Sequence, residues 1–157
     1  AGGVGHLAIQ IAKNLGATAL ATGSTANREF ILGLGADRFI DYTQCRFEEQ
    51  AKDVDVVFHT ISAEYRPRSW SVVRKGGWLV TITGGMPEDE AARHGGQGRF
   101  VTVRPDGTQL ARIGEMIDAG RLKIQVEKTY PLSETAQAHL HVERGRTRGK
   151  VVLSLAD

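Results

Sequence analysis

AGGVGHLAIQIAKNLGA, residues 1–17, is a glycine-rich turn running straight into an amphipathic helix, and its reading decides the fold. Val4, Leu7, Ala8, Ile11, Ala12 and Leu15 recur at steps of three and four, the spacing of one helix face, and Gly16 stands where a C-cap belongs. Gly2, Gly3, Val4 and Gly5 therefore sit at a helix N-terminus. Unsatisfied N–H groups and the positive end of the helix dipole meet there, and a glycine without Cβ lets a pyrophosphate approach the backbone. The chemistry expected is dinucleotide binding. A glycine turn that merely starts a helix looks the same in isolation, so the rest of the chain has to decide.

Beyond Gly16 strands and helices alternate. TALATG (18–23) reads as a buried strand, Ala26 to Leu34 as a helix closed by Gly35, RFIDY (38–42) as a strand, and Phe47 to Lys52 as a short polar helix. VDVVFHTI (54–61) is a continuous apolar run of the kind covered on both faces. Pro67 opens a helix carrying Trp70, Val72 and Val73 that stops at Gly76-Gly77, and WLVTIT (78–83) is the next strand. A polar loop spans Gly84 to Gly98, FVTV (100–103) is a further strand, and Asp106 caps a helix running to Ala119. This alternation predicts an α/β fold with a doubly wound parallel sheet. After Gly120 the rhythm changes to a strand-like piece, a helix capped near Ser133, and a final strand from Lys150 to Leu155. Residues 1–120 are expected to form the nucleotide-binding domain, and 121–157 a tail belonging to something else.

Composition narrows the function classes. The chain has 157 residues, 41% hydrophobic and 24% charged, enough for one domain with a core. A net charge of +2, with no basic run carrying aromatics, gives no footprint for nucleic acid. The single Cys45 excludes an internal disulfide, and no cysteine or histidine set has structural-zinc spacing, so no metal site is assigned. Apolar runs are short of a membrane span, and a soluble, reducing, cytoplasmic setting without membrane partners is expected.

The chain resembles the medium-chain dehydrogenase/reductase superfamily through seven motifs in order: AGGVGHLAIQIAKNLGA, LGADRFIDY, VDVVFHTIS, GGWLVTI, FVTVRPDGTQL, MIDAGRLK and PLSETAQAHLHVERGRTRGKVVL. Within it the quinone oxidoreductase, or zeta-crystallin-like, branch is the most similar. The resemblance implies a Rossmann-type domain, NADPH as cofactor and usually no zinc. It also implies a catalytic domain before this stretch, on which 121–157 would pack. The family's phosphate loop reads Ala-x-x-Gly-x-x-Gly, and this chain starts one residue before the middle glycine, Gly2. The first, central strand is accordingly expected to lie upstream, with a gap in the sheet or something filling it. A homodimer through sheet edges near the sixth strand is expected as well.

NAD-specific sites carry an acid about 20 residues past the loop, where it binds the ribose 2′-hydroxyl. Here that place reads Gly23-Ser24-Thr25-Ala26-Asn27-Arg28. Ser24, Thr25 and Asn27 offer hydrogen bonds and Arg28 a planar cation, which suits the 2′-phosphate of NADPH. The same residues would also serve as a helix start with a solvated arginine. Tyr42 matches a family position that reaches the same phosphate. The nicotinamide end is expected beyond the carboxyl ends of the strands, at Thr60, Ile61 and Ser62, Thr83 and Gly84, and Phe100 and Val101. The family commonly reads VDVVLDxVGG at the fourth strand, whereas here His59 replaces the acid and Ile61-Ser62-Ala63 the valine and glycines.

His59 reads either as a proton donor or as a buried histidine satisfied by hydrogen bonds. Cys45 reads as a redox thiol or an inert one. His139 and His141 are two apart, which points them to different helix faces and argues against a metal shared with His94. Arg144, Arg146 and Arg148 either reach the 2′-phosphate from the tail or are solvated. Hydride transfer from NADPH to a quinone, enone or related carbonyl substrate is the activity the resemblance implies, and no catalytic residue is assigned within this chain. The alternatives are a zinc alcohol dehydrogenase of the same superfamily or a non-catalytic NADPH-binding module.

Overall fold

The computed structural model describes residues 1–155. In chain order the elements are α1 (Gly5–Asn14), β1 (Leu20–Gly23), α2 (Arg28–Gly33), β2 (Arg38–Asp41), α3 (Phe47–Gln50), β3 (Val54–His59), α4 (Arg66–Trp70), β4 (Val73–Thr81), α5 (Glu90–Arg93), β5 (Gln97–Phe100), α6 (Gly107–Asp118), β6 (Val126–Pro131), α7 (Thr135–Glu143) and β7 (Lys150–Ser154). The expected alternation of strands and helices is present. The strands hydrogen-bond as β1-β2, β3-β4-β5 and β6-β7. Both pairings of the three-stranded sheet are parallel, and so is the pairing of β6 with β7.

The chain divides into two compact units, one holding residues 1–39 and 106 onward, the other residues 40–105. In the first unit Ile9, Ile31 and Ala36 form the core, with Ala1, Ala21, Leu34 and Phe39 packed on it. In the second, Ile40, Ala51 and Val72 form the core with Cys45, Phe47, Val54 and Val57 around them. Leu79, in the middle strand of the three-stranded sheet, is fully buried.

The structure moves several expected boundaries. The helix opened by Pro67 ends at Trp70, and Val73 begins β4, which pairs with Val54. Val72 and Val73 are β-branched, and the ladder to β3 stabilises the extended backbone they already favour. β5 lies at 97–100 instead of 100–103, because residues 97–100 are the ones that pair in register with Trp78–Thr81 of β4. Val101 adds one hydrogen bond, to the Thr81 carbonyl at 2.9 Å, and the ladder ends there. Asp106 is the N-cap of α6 as its side chain demands, accepting from the N–H groups of Thr108 and Gln109. The tail helix starts at Thr135, after a 3-10 turn over Leu132–Glu134, and its N-cap has no side-chain hydrogen bond.

The buried face of α1 also differs from the apolar stripe. His6, Ile9 and Gln10 are buried, whereas Val4 is 42% and Leu15 80% exposed. The polar pair His6 and Gln10, four residues apart on one face, is buried because the 123–125 segment satisfies it. Gln10 Nε2 donates to the Lys123 carbonyl at 2.9 Å and Gln10 Oε1 accepts from the Lys123 N–H at 2.8 Å. Such reciprocal bonds remove the cost of burying a carboxamide.

Candidate nucleotide-binding site

Gly2, Gly3, Val4 and Gly5 lie where the sequence puts them, at the opening of α1. Val4 is the N-cap and offers no side-chain cap hydrogen bond, so the helix end is left to other partners. A Cβ added at Gly2 or Gly5 would meet nothing within 4 Å. One at Gly3 would stand 3.1 Å from Lys150 Nζ, which places an ammonium group beside the glycine turn. His6 fixes the turn from below. Its Nδ1 donates to the Gly2 carbonyl at 3.0 Å, which leaves Nε2 as acceptor for the Gln125 N–H at 3.4 Å. Gly149 N–H donates to the Ala1 carbonyl at 3.0 Å, so the returning tail meets the turn at its first residue as well. A helix end with its dipole uncapped, open glycines and a nearby cation form a cradle that suits a pyrophosphate.

Ser24, Thr25, Asn27 and Arg28 follow β1 in the same unit. Thr25–Asn27 form a 3-10 turn and Arg28 opens α2. Asn27 Nδ2 donates to Ser24 Oγ at 3.1 Å. The Arg28 guanidinium lies 5.7 Å from the Phe39 ring centroid and 3.9 Å from Glu29, with both charges largely in water. Arg148 reaches this turn from the tail, donating from Nε to Asn27 Oδ1 at 2.8 Å and from Nη2 to the Ala26 carbonyl at 2.5 Å. Tyr42 belongs to the other unit, follows β2 and is 58% exposed.

The remaining expected residues gather within the second unit. Thr83 Oγ1 donates to the Ile61 carbonyl at 2.5 Å, bringing together the segments that follow β3 and β4. Gly84 has φ +70° and lies so close to Ala63 that a Cβ would sit 2.6 Å from that methyl group, so only glycine fits. Phe100 pairs with Thr81 across the β4–β5 ladder, and Val101 donates to the Thr81 carbonyl. Thr60, Ile61, Ser62, Thr83, Gly84, Phe100 and Val101 thus lie at the carboxyl ends of three parallel strands or just beyond them.

Close to them lies a buried polar cluster: His59 stood out from the sequence, whereas Glu90 belongs to the acidic Glu88-Asp89-Glu90 run that reads from sequence as a solvated loop and is buried here by its bonds to Arg66 and Trp70. His59 is 3% exposed; its Nε2 donates to the Ser62 carbonyl at 3.1 Å, so its Nδ1 accepts from the Ser69 hydroxyl at 2.9 Å. Burial pushes this imidazole below its ordinary value, against the opposing hydrogen bond to Ser62. Of the two readings of His59, the structure gives the hydrogen-bonded buried one. Arg66 Nε donates to Glu90 Oε1 at 2.7 Å, Trp70 Nε1 donates to the same oxygen at 2.8 Å, and Arg66 Nη1 donates to the Gly85 carbonyl at 2.5 Å. Burial alone would raise the Glu90 carboxyl, but the hydrogen bonds from Arg66 and Trp70 outweigh it and hold the group below the usual carboxylate range. Arg66 therefore ties α4, α5 and the glycine turn after β4 into one piece. The signal was faint: no local spacing links residues 66, 70 and 90.

Cys45 is half-buried and its thiol donates to the Asp41 carbonyl at 3.3 Å. His141 is held by Tyr130 and Glu127. Among the described residues no group of three or more His, Cys, Asp or Glu is placed to hold a metal ion, and no helix is long and apolar enough to cross a membrane.

The zinc-binding dehydrogenase family matches residues 34–153. The chain belongs to this family. It falls in the medium-chain dehydrogenase/reductase superfamily, in the quinone oxidoreductase-like branch, as the motif order implied. The zinc of the family's description finds no ligand set among the described residues. The chain is 33% identical over 181 residues to the mitochondrial NAD(P)H oxidoreductase RTN4IP1 of Mus musculus, a match covering 98% of this chain and 46% of that protein. It is 36% identical over 157 residues to the chloroplastic NADPH-dependent alkenal/one oxidoreductase of Arabidopsis thaliana, covering 98% of this chain and 38% of that one. Among solved structures, the quinone oxidoreductase of Coxiella burnetii superposes with a TM-score of 0.88 at 29% identity, over 99% of this chain and 50% of that one. The Escherichia coli quinone oxidoreductase complexed with NADPH gives 0.81 at 25% identity, over 98% and 54%. This member of the family thus spans less than half the length of the curated relatives it matches and about half of the solved ones.

Proposed function

We propose that this chain is the NADPH-binding part of an oxidoreductase that passes hydride to a quinone, an enone or a related activated carbonyl compound. The carrying observation is the Ser24–Arg28 turn, which presents hydroxyl and carboxamide groups with Arg28 and Arg148 and contains no acid. A 2′-phosphate meets no repulsion inside it, whereas a 2′-hydroxyl finds no carboxylate acceptor. Relatives described as NADPH-dependent alkenal/one oxidoreductase and quinone oxidoreductase complexed with NADPH support the same reading.

In this reading Gly2, Gly3, Val4 and Gly5 hold the pyrophosphate, with Lys150 beside them. Ser24, Thr25, Asn27 and Arg28 take the ribose 2′-phosphate. Thr60, Ile61, Ser62, Thr83, Gly84, Phe100 and Val101 flank the nicotinamide. The bound NADPH supplies the hydride, and the chain supplies position and a shaped, partly dry surface. The strand ends of the three-stranded parallel sheet β3-β4-β5 carry the nicotinamide side of the site, as the carboxyl ends of a Rossmann sheet do. The groups that bind substrate belong to a catalytic domain of the whole protein, on which residues 121–157 pack, and the whole protein is a cytoplasmic homodimer.

The test is turnover by the full-length protein with NADPH or NADH against a panel of a quinone, an enone and a simple alcohol–aldehyde pair, followed through the absorbance of the reduced nicotinamide. Consumption of NADPH with the quinone or the enone is expected. Activity confined to alcohol oxidation, or abolished by a zinc chelator, would place the protein in the zinc alcohol dehydrogenase branch instead.

A further inference from the structure

Arg148 makes a connection that composition alone would assign to solvent. Its guanidinium grips the Asn27 Oδ1 and Ala26 carbonyl oxygens, 2.8 and 2.5 Å away, across 121 and 122 residues of sequence. Its own backbone is held in turn, because its N–H donates to Glu127 Oε2 at 3.3 Å. The same carboxylate oxygen accepts from His141 Nε2 at 3.0 Å, and His141 Nδ1 accepts from the Tyr130 hydroxyl at 2.9 Å. Tyr130 is buried, with the Lys128 ammonium 4.3 Å from its ring centroid. The arginine is thus presented by β6, α7 and the turn before β7, and it ends on the turn after β1.

We infer that Arg148 is a positioning residue that sets the preference for NADPH over NADH by fixing the orientation of the Asn27 carboxamide. The inference rests on the cofactor reading proposed above. A carboxamide can turn either its oxygen or its NH2 toward an incoming phosphate, and only the NH2 can donate. With Oδ1 taken by the guanidinium, Nδ2 is the end that faces Ser24, to which it donates at 3.1 Å. Ser24 Oγ accepts that bond and keeps its own O–H to donate. Arg148 thereby covers two acceptor oxygens of the turn, Asn27 Oδ1 and the Ala26 carbonyl, and adds one more positive charge at its edge. An anionic 2′-phosphate gains from this arrangement; an uncharged 2′-hydroxyl gains little.

The experiment measures dissociation constants for NADPH and NADH by nicotinamide fluorescence in the full-length oxidoreductase and its Arg148→Ala, Arg148→Lys, Asn27→Ala and Arg148→Ala/Asn27→Ala variants. Arg148→Ala is expected to weaken NADPH about tenfold while NADH stays within about twofold. Arg148→Lys keeps the charge but loses the planar fork, and should recover only part of the loss. The double variant should be little worse than Arg148→Ala, since the two residues act as a unit. An unchanged NADPH/NADH ratio in Arg148→Ala, equal weakening of both cofactors, full rescue by lysine, or strict additivity in the double variant would each overturn the positioning role while leaving an NADPH preference of the wild type intact. A wild-type protein without that preference would overturn the cofactor reading and this inference together.

Discussion

At the residue scale the second unit depends on two buried groups that respond to acid in different ranges. Glu90 accepts from Arg66 and Trp70, and the Arg66 and Glu90 side chains are only 9% and 11% exposed. Removing one partner strands the other charge, so Arg66→Met is expected to cost about 3 kcal/mol or more in urea unfolding. A loss close to zero would show that the pair is solvated. The Glu90 carboxyl is held below its ordinary 4.5, so its contribution is fully present above that pH and is lost as pH falls through the lower folded value. His59 behaves as its counterpart at milder pH. Its folded value lies below 6.5, so the unfolded chain takes up the proton first and stability declines as pH falls below 6.5. Unfolding curves for wild type and His59→Gln between neutral and mildly acid pH should show a smaller pH slope in the variant; parallel slopes would remove the imidazole from the account. His59 could be singled out from sequence as a histidine in an apolar strand. Arg66 and Glu90 could not, because what makes them partners is a loop closure that no local period records.

At the element scale the local signals were strongest where one side chain finishes a helix and weakest where tertiary pairing chooses between helix and strand. Asp106 illustrates the first case: α6 has no buried residue, so its stability leans on the cap. Asp106→Ala is expected to cost about 1 kcal/mol and to reduce far-ultraviolet helical signal in proportion to one helix, whereas an unchanged spectrum would show that packing holds it. Val72, Val73 and the 97–103 segment illustrate the second. Their apolar pattern fits a helix end or a displaced strand equally well until β3 and β4 supply partners. The tail pair β6–β7 turns on Gly149, whose φ is +71° and where a Cβ would collide with the Gln125 carbonyl. Gly149→Ala should destabilise by at least about 1 kcal/mol and should also loosen the Arg148 and Lys150 side chains on either side of it, read as weaker NADPH binding. Retained binding with lowered stability would separate the tail from the cofactor site.

At the scale of the whole molecule, the motif order along the chain carried the family assignment, and the alternation of strands carried the α/β fold. The individual phosphate-loop glycines would not have sufficed, since the same turn begins many helices. The tail was visible as a break in rhythm, with Arg144, Arg146 and Arg148 readable either as 2′-phosphate contacts or as solvated charges; the contacts of Arg148 with Asn27 and Ala26, and of Lys150 near Gly3, appear only in three dimensions. The central claim is that the turn after β1 selects the 2′-phosphate. A paired fluorescence titration of the full-length protein with NADPH and NADH tests it most directly. The account predicts tighter binding of NADPH by about tenfold or more; equal affinities, or tighter binding of NADH, would contradict it.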